Sequence, residues 1–137
     1  MSFAGINYLA ILLAAVPGFA FGAVYYMLLS KPWLKAARIN PSTMKMSVVP
    51  FIVSFVALLV MAHVLAGAVG HLGPGQVTLR NGIISGLFLW AGFSFTTMAV
   101  NHRYQGFGWK LTFIDGLHWL GVAVIMGAVI GGMGADG

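Results

Sequence analysis

Asp115 is the residue on which chemistry in this chain would turn. It is one of two acids in 137 residues, and it sits inside a long apolar run, where an ionisable group is costly and points to function. Read as a helix starting near Lys110, that run places Asp115 ~7–8 Å from its start. Thr112 lies at i−3, His118 at i+3 and Trp119 at i+4, so all four share one helix face. The preceding run presents Trp90, Ser94, Thr97 and Asn101 at helical spacing, and Tyr25 and Tyr26 close the first run. These residues predict a polar pocket in which Asp115 accepts hydrogen bonds from Asn101, the tyrosine hydroxyls or His118. Such a site exchanges protons or holds a polar substrate. The competing expectation is a structural lock, with Asp115 paired to Lys110 or Arg103 near the positive N-terminal end of its helix.

Other chemistries find little support. A bis-histidine haem needs two imidazoles at one depth, yet His63 falls ~24 Å and His118 ~12 Å up their helices from the same side. His71 and His102 fall in opposite loops. No metal site or cofactor is expected, and His63 reads as a buried hydrogen-bonding histidine or as part of an outer site with His71 and Arg80. The absence of cysteine removes disulfides, thiolate metal sites and cysteine nucleophiles. There is no Walker loop, dinucleotide fingerprint, G-x-S-x-G elbow or H-E-x-x-H motif. Intramembrane hydrolysis needs a Ser/His or paired-carboxylate arrangement, and a lone embedded acid cannot supply the second carboxylate. No catalytic residue is assigned, and an enzyme is not expected. Exchange of the multidrug-exporter kind needs a carboxylate deep in the first helix, which has none.

The elements that position these residues follow from composition. The chain is 60% hydrophobic and 7% charged, against about 25% charged for a soluble domain. Four apolar runs, Ile6–Leu29, Val48–Val69, Ile83–Val100 and Leu111–Met133, each reach ~27–36 Å as helices, enough to cross a bilayer. The reading is an all-α, four-transmembrane-helix bundle forming one domain over residues 1–137. Alternating barrel strands are absent. The first run reads as an uncleaved helix, because no basic residue precedes it.

Lys31, Lys35, Arg38 and Lys45 fill the first loop and Arg103 and Lys110 the third, while the second holds only Arg80. Six basic residues against one place the first and third loops in the cytoplasm and both termini outside. The expected location is a bacterial inner membrane. The net charge of +5 then serves topology and contact with anionic lipid rather than nucleic acid. Pro17 is expected to kink the first helix, Pro50 to open the second, and Pro32 to stop the first. Asn40-Pro41-Ser42 reads as a turn, and Trp33–Ile39 as either a short interfacial amphipathic segment or a plain loop.

Small residues recur at spacing four: Ala14, Gly18 and Gly22; Gly82 and Gly86; Ala123, Gly127 and Gly131. Such stripes let helices approach closely, either within one bundle or between copies or subunits. Gly18-Phe19-Ala20-Phe21 and Gly92-Phe93-Ser94-Phe95 echo one another, as do Phe51-Ile52 and Phe113-Ile114, compatible with a duplicated helical hairpin.

From Asn7 to Gly131 the chain resembles a bacterial family of small four-span membrane proteins of unknown function. The resemblance rests on Asn7-Tyr8, Tyr25-Tyr26, Lys31, Trp33, Gly86, Trp90, Gly92, Asn101, Lys110, Ile114 and Asp115; at Tyr25 the family looks more like tryptophan. It implies a fold and topology but no activity. The leading functional expectation is an accessory or scaffold subunit that associates through its glycine-rich faces, as a homo-oligomer or in a larger complex. The alternative is a small oligomeric transporter or channel with its site around Asp115. A lipid-modifying enzyme ranks third.

Overall fold

The computed structural model describes residues 6–135, and every regular element among them is helical. The order is α1 (Tyr8–Leu28), α2 (Ser30–Ala36), α3 (Val49–Gly70), α4 (Leu79–Leu89), a π-helical turn (Trp90–Phe95), α5 (Thr96–Tyr104) and α6 (Trp109–Met133). α4, the π turn and α5 form one continuous rod, so four helices are long and apolar enough to cross a membrane: Tyr8–Leu28, Val49–Gly70, Leu79–Tyr104 and Trp109–Met133. They run alternately up and down. At one end Asn7 Nδ2 donates to the Gly134 carbonyl at 3.5 Å. At the other, Arg38 Nη2 donates to the Gly106 carbonyl at 2.7 Å, and its guanidinium lies 5.3 Å from the Phe107 ring centroid.

α6 is the hub: it packs on α1, α3 and α4, whereas α1 and α4 do not touch. The core gathers along it, with Val122, Met126 and Ile130 against Ala14 and Ala15 of α1 and Leu58, Ala62 and Leu65 of α3. The α4–α6 crossing is the tightest. A Cβ at Gly82 would collide with the Gly127 carbonyl, one at Gly127 with the Gly82 carbonyl, and one at Gly131 with the Thr78 carbonyl; at Gly86 it would stand 2.6 Å from the Ala123 carbonyl oxygen. In lipid no hydrophobic force drives helices together, so contact dispersion must, and backbone-to-backbone approach maximises it. These stripes are therefore engaged inside the bundle. Gly18 is looser, its Cβ position 3.6 Å or more from Met126, Val122 and Leu58.

Local chemistry sets the ends. Asn7 caps α1, its Oδ1 accepting from the Ala10 amide, and Thr78 caps α4 through the Asn81 amide. That cap draws Arg80 into the third span, which also runs beyond the expected Val100 to Tyr104, leaving a connection of only four residues, 105–108. Pro17 lies within α1 without interrupting it. Pro32 does not stop a helix but occupies the first turn of α2, where a missing N–H costs nothing. Arg38, with φ +57°, ends that segment, the Ile39 amide reaching back to the Leu34 carbonyl. Asn40 forms the expected turn, its side chain accepting from the Ser42 amide. The two echoing segments differ in setting: Gly18 is buried in α1, while Gly92 is exposed in the π turn.

Candidate functional site

Asp115 stands in the second turn of α6, and its carboxylate collects donors from two other elements and is faced by a third. The Tyr26 hydroxyl donates to Oδ1 at 2.6 Å, and the Trp33 indole Nε1 donates to the same oxygen at 3.1 Å. His102 brings Nε2 to 3.9 Å from Oδ2, too long for a hydrogen bond. α1, α2, α5 and α6 thus meet at one carboxylate. Its side chain is 19% exposed.

The expected counterions lie elsewhere. Arg103 Nη2 donates to the Gly108 carbonyl at 3.0 Å and to Thr112 Oγ1 at 2.6 Å, with its guanidinium 3.8 Å above the Trp109 ring. This stacking binds the last turn of α5 to the first turn of α6. Lys110 is exposed and makes no ion pair with Asp115. The carboxylate is held by neutral donors and faced by a histidine, and the expected pairing with Lys110 or Arg103 does not form.

His102 reaches the site because of the π turn. Along a regular helix, the α6-facing stripe through Gly82, Gly86 and Trp90 would continue through Ser94, Thr97 and Asn101. The π turn adds one residue and shifts everything after it by one position. Phe95 therefore packs on Gly116, its Cδ2 2.9 Å from where a Cβ would stand, and His102 takes the place expected for Asn101. Thr97 and Asn101 rotate outward and are exposed; Thr97 donates to its own helix at the Phe93 carbonyl. Neither reaches Asp115. Thr96 likewise donates to the Gly92 carbonyl at 2.8 Å, so two hydroxyls fall on carbonyls in the widened turn. Gly92 with Thr96-Thr97 is the sequence signal for this turn, since hydroxyl back-bonding loosens a helix.

The remaining expected residues divide. Trp90 donates its indole N–H to the Gly116 carbonyl at 2.8 Å, and Tyr25 donates to the Ile114 carbonyl at 2.6 Å, so both tie helices to α6 beside Asp115 without touching the carboxylate. His102 Nδ1 lies 2.9 Å from Thr112 Oγ1. His118 makes no bond to Asp115. It is 8% exposed, caged by Tyr26 and Trp119 at ring-centroid distances of 4.8 and 4.6 Å, and its Nδ1 is buried without a partner. Gly22 gives this ring clearance, since a Cβ there would stand 2.7 Å from His118 Nε2. Its absent side chain serves the imidazole rather than a helix-to-helix crossing. His63 packs beside Tyr8, ring centroids 5.9 Å apart, and His71 Nδ1 lies 2.7 Å from the Gly67 carbonyl.

Trp33 and His102 were not expected at the site. Trp33 reads as an interfacial anchor, yet from α2, just past the junction with α1 at Leu29, its indole reaches Asp115. Beside the cluster a groove of about 540 Å³ opens between α1 and α3, with His118 and Trp119 on its floor. No group of three or more potential metal ligands converges among the described residues.

Neither the curated proteins nor the solved structures contain a match to the chain. A family model described as "Protein of unknown function (DUF1761)" matches residues 9–131, nearly the whole length; the Asp115 cluster lies within that match, as do the four apolar helices apart from Tyr8 at the start of the first and Gly132 and Met133 at the end of the last. The chain belongs to this family.

Proposed function

We propose that the protein is a small multi-pass carrier of a bacterial inner membrane, with Asp115 as its proton-exchanging group on the cytoplasmic side. One observation carries this reading: the only acid among the described residues is held by Tyr26 and Trp33, which are neutral donors, and faced by a titratable histidine, while the nearby cations are directed elsewhere. A lock would neutralise the carboxylate with Arg103 or replace it with an amide, because an uncompensated charge in the membrane is expensive. Keeping an acid with one oxygen free of hydrogen bonds suits a group that must gain and lose a proton. The test is modification by dicyclohexylcarbodiimide, a bilayer-soluble reagent that captures protonated carboxyls. Mass spectrometry should find the adduct on Asp115, with His102→Gln changing the pH profile of labelling. A pH-independent yield unaffected by His102→Gln would remove the proton-exchange role.

A second reading, an accessory subunit or homo-oligomer, is favoured by the third span. Only 6% of its apolar window is buried, against 22–39% for the others, and Phe88 and Phe93 are 75% and 72% exposed. Because Gly82, Gly86, Gly127 and Gly131 are spent on the α4–α6 crossing, association would use this aromatic face rather than the glycine stripes.

A further inference from the structure

The groove between α1 and α3 is lined by Gly22 and Tyr26 on one wall, Phe51 and Ser54 on the other, and His118 and Trp119 below. Its volume of about 540 Å³ lies within the range of about 300–1,000 Å³ typical of small-molecule sites. Both walls are membrane-spanning helices, and the rim residues Met27 and Phe51 are 70% and 55% exposed. The opening is therefore lateral, toward the acyl chains rather than water. Apolar walls alone would be ordinary lipid-facing surface.

His118 makes this groove different. It is more than nine-tenths buried, lines the groove, and has an unpartnered Nδ1. An imidazole offers two hydrogen-bonding nitrogens, and leaving them unused in a dry interior is unfavourable. Gly22, lacking a side chain, leaves room for the imidazole edge that carries Nε2. Across the groove Ser54 adds a hydroxyl from α3, and no residue lining the groove carries a formal charge. An anionic or cationic head would find no counter-charge there, in a medium where that is costly. A neutral head with a hydroxyl or carbonyl finds His118 and Ser54, and an apolar tail leaves between the helices.

We propose that this groove binds a neutral, lipid-soluble molecule with a compact hydroxyl- or carbonyl-bearing head and an apolar chain, the head hydrogen-bonded to His118. The site shares Tyr26 with the Asp115 cluster but does not depend on proton exchange there.

The experiment uses the full chain in lipid nanodiscs and a diazirine-bearing farnesol as photoprobe. Labelling should concentrate on the α1 and α3 walls, around residues 18–27 and 51–58. It should be competed by unlabelled farnesol or decylubiquinone, and not by dodecanoate or dodecyltrimethylammonium. His118→Phe keeps the ring and removes the nitrogens, and should weaken labelling about tenfold, the factor of one lost hydrogen bond. Ser54→Leu fills the groove from an exposed position of α3 and gives the answer should His118→Phe not fold. Labelling spread evenly over all four helices, equal competition by the charged amphiphiles, or wild-type labelling of Ser54→Leu would each overturn the proposal.

Discussion

His102 Nε2 lies 3.9 Å from Asp115 Oδ2, and the π turn at Trp90–Phe95 is what brings them together. One added residue in that turn carries the α6-facing stripe from Trp90 to Phe95 and His102. Because the chain has no cysteine, single pairs can be introduced cleanly. A bifunctional thiol reagent should bridge His102→Cys to Thr112→Cys, and bridge Asn101→Cys to Thr112→Cys poorly. Deleting Gly92, which is exposed and has no neighbour in its Cβ space, should convert the turn to regular helix and leave that preference unchanged, because the residue removed is the one the turn adds. Loss of the bridge from His102→Cys in the deletion variant would show that the turn does not absorb the added residue.

The donors on Asp115 should be unequal in effect. Tyr26→Phe removes the 2.6 Å bond and should cost about 1–2 kcal/mol, measured by unfolding in mixed detergent. Trp33→Phe loses a longer bond and should cost less, while freeing α2 from the bundle end. Lys110→Gln should leave stability unchanged within about 0.5 kcal/mol, as an exposed, unpaired site predicts. A larger loss in Lys110→Gln would restore the ion-pair lock.

Glycines spaced alike should respond differently. Gly127→Ala drives a Cβ into the Gly82 carbonyl, backbone against backbone, so α4 and α6 must part and the yield of folded protein should fall sharply. Gly18→Ala meets only side-chain atoms at ordinary contact distance and should be tolerated. Equal melting temperatures for the two variants would mean the crossing is looser than described.

Much of the bundle was legible because bilayer length and hydropathy leave little freedom: the four spans follow from apolar run length alone. Tyr26 beside Asp115 was also legible, since both fall at the same end of antiparallel helices. Spacing arguments assume a regular 3.6-residue period, however, and the third span breaks it between Gly92 and Thr96-Thr97. Asn101 and Thr97 were therefore placed one position out of phase, and His102 was assigned to a loop that is in fact helix. Trp33 was missed for another reason. Its partner is set by the break between α1 and α2, where Leu29 leaves helical geometry at φ −104°, ψ 18°, a conformation no residue type there demands.

The charge distribution predicts an orientation. With six basic residues on one side and one on the other, cysteine at Ser42 should be shielded from an impermeant external thiol reagent and cysteine at Gly75 should react. The reverse pattern would place the Asp115 cluster on the outer side.

Proton flux tests the account at its centre. Wild-type protein in proteoliposomes carrying an internal pH dye should dissipate an imposed pH gradient faster than protein-free vesicles. Asp115→Asn, which keeps the size and hydrogen-bonding capacity of the side chain, should return the rate to that of empty vesicles while the protein still unfolds cooperatively. His102→Gln should give an intermediate rate. Wild-type flux equal to that of empty vesicles, or full flux in a folded Asp115→Asn variant, would contradict the role given to this carboxylate and leave Asp115 as a structural fastening for α1, α2 and α6.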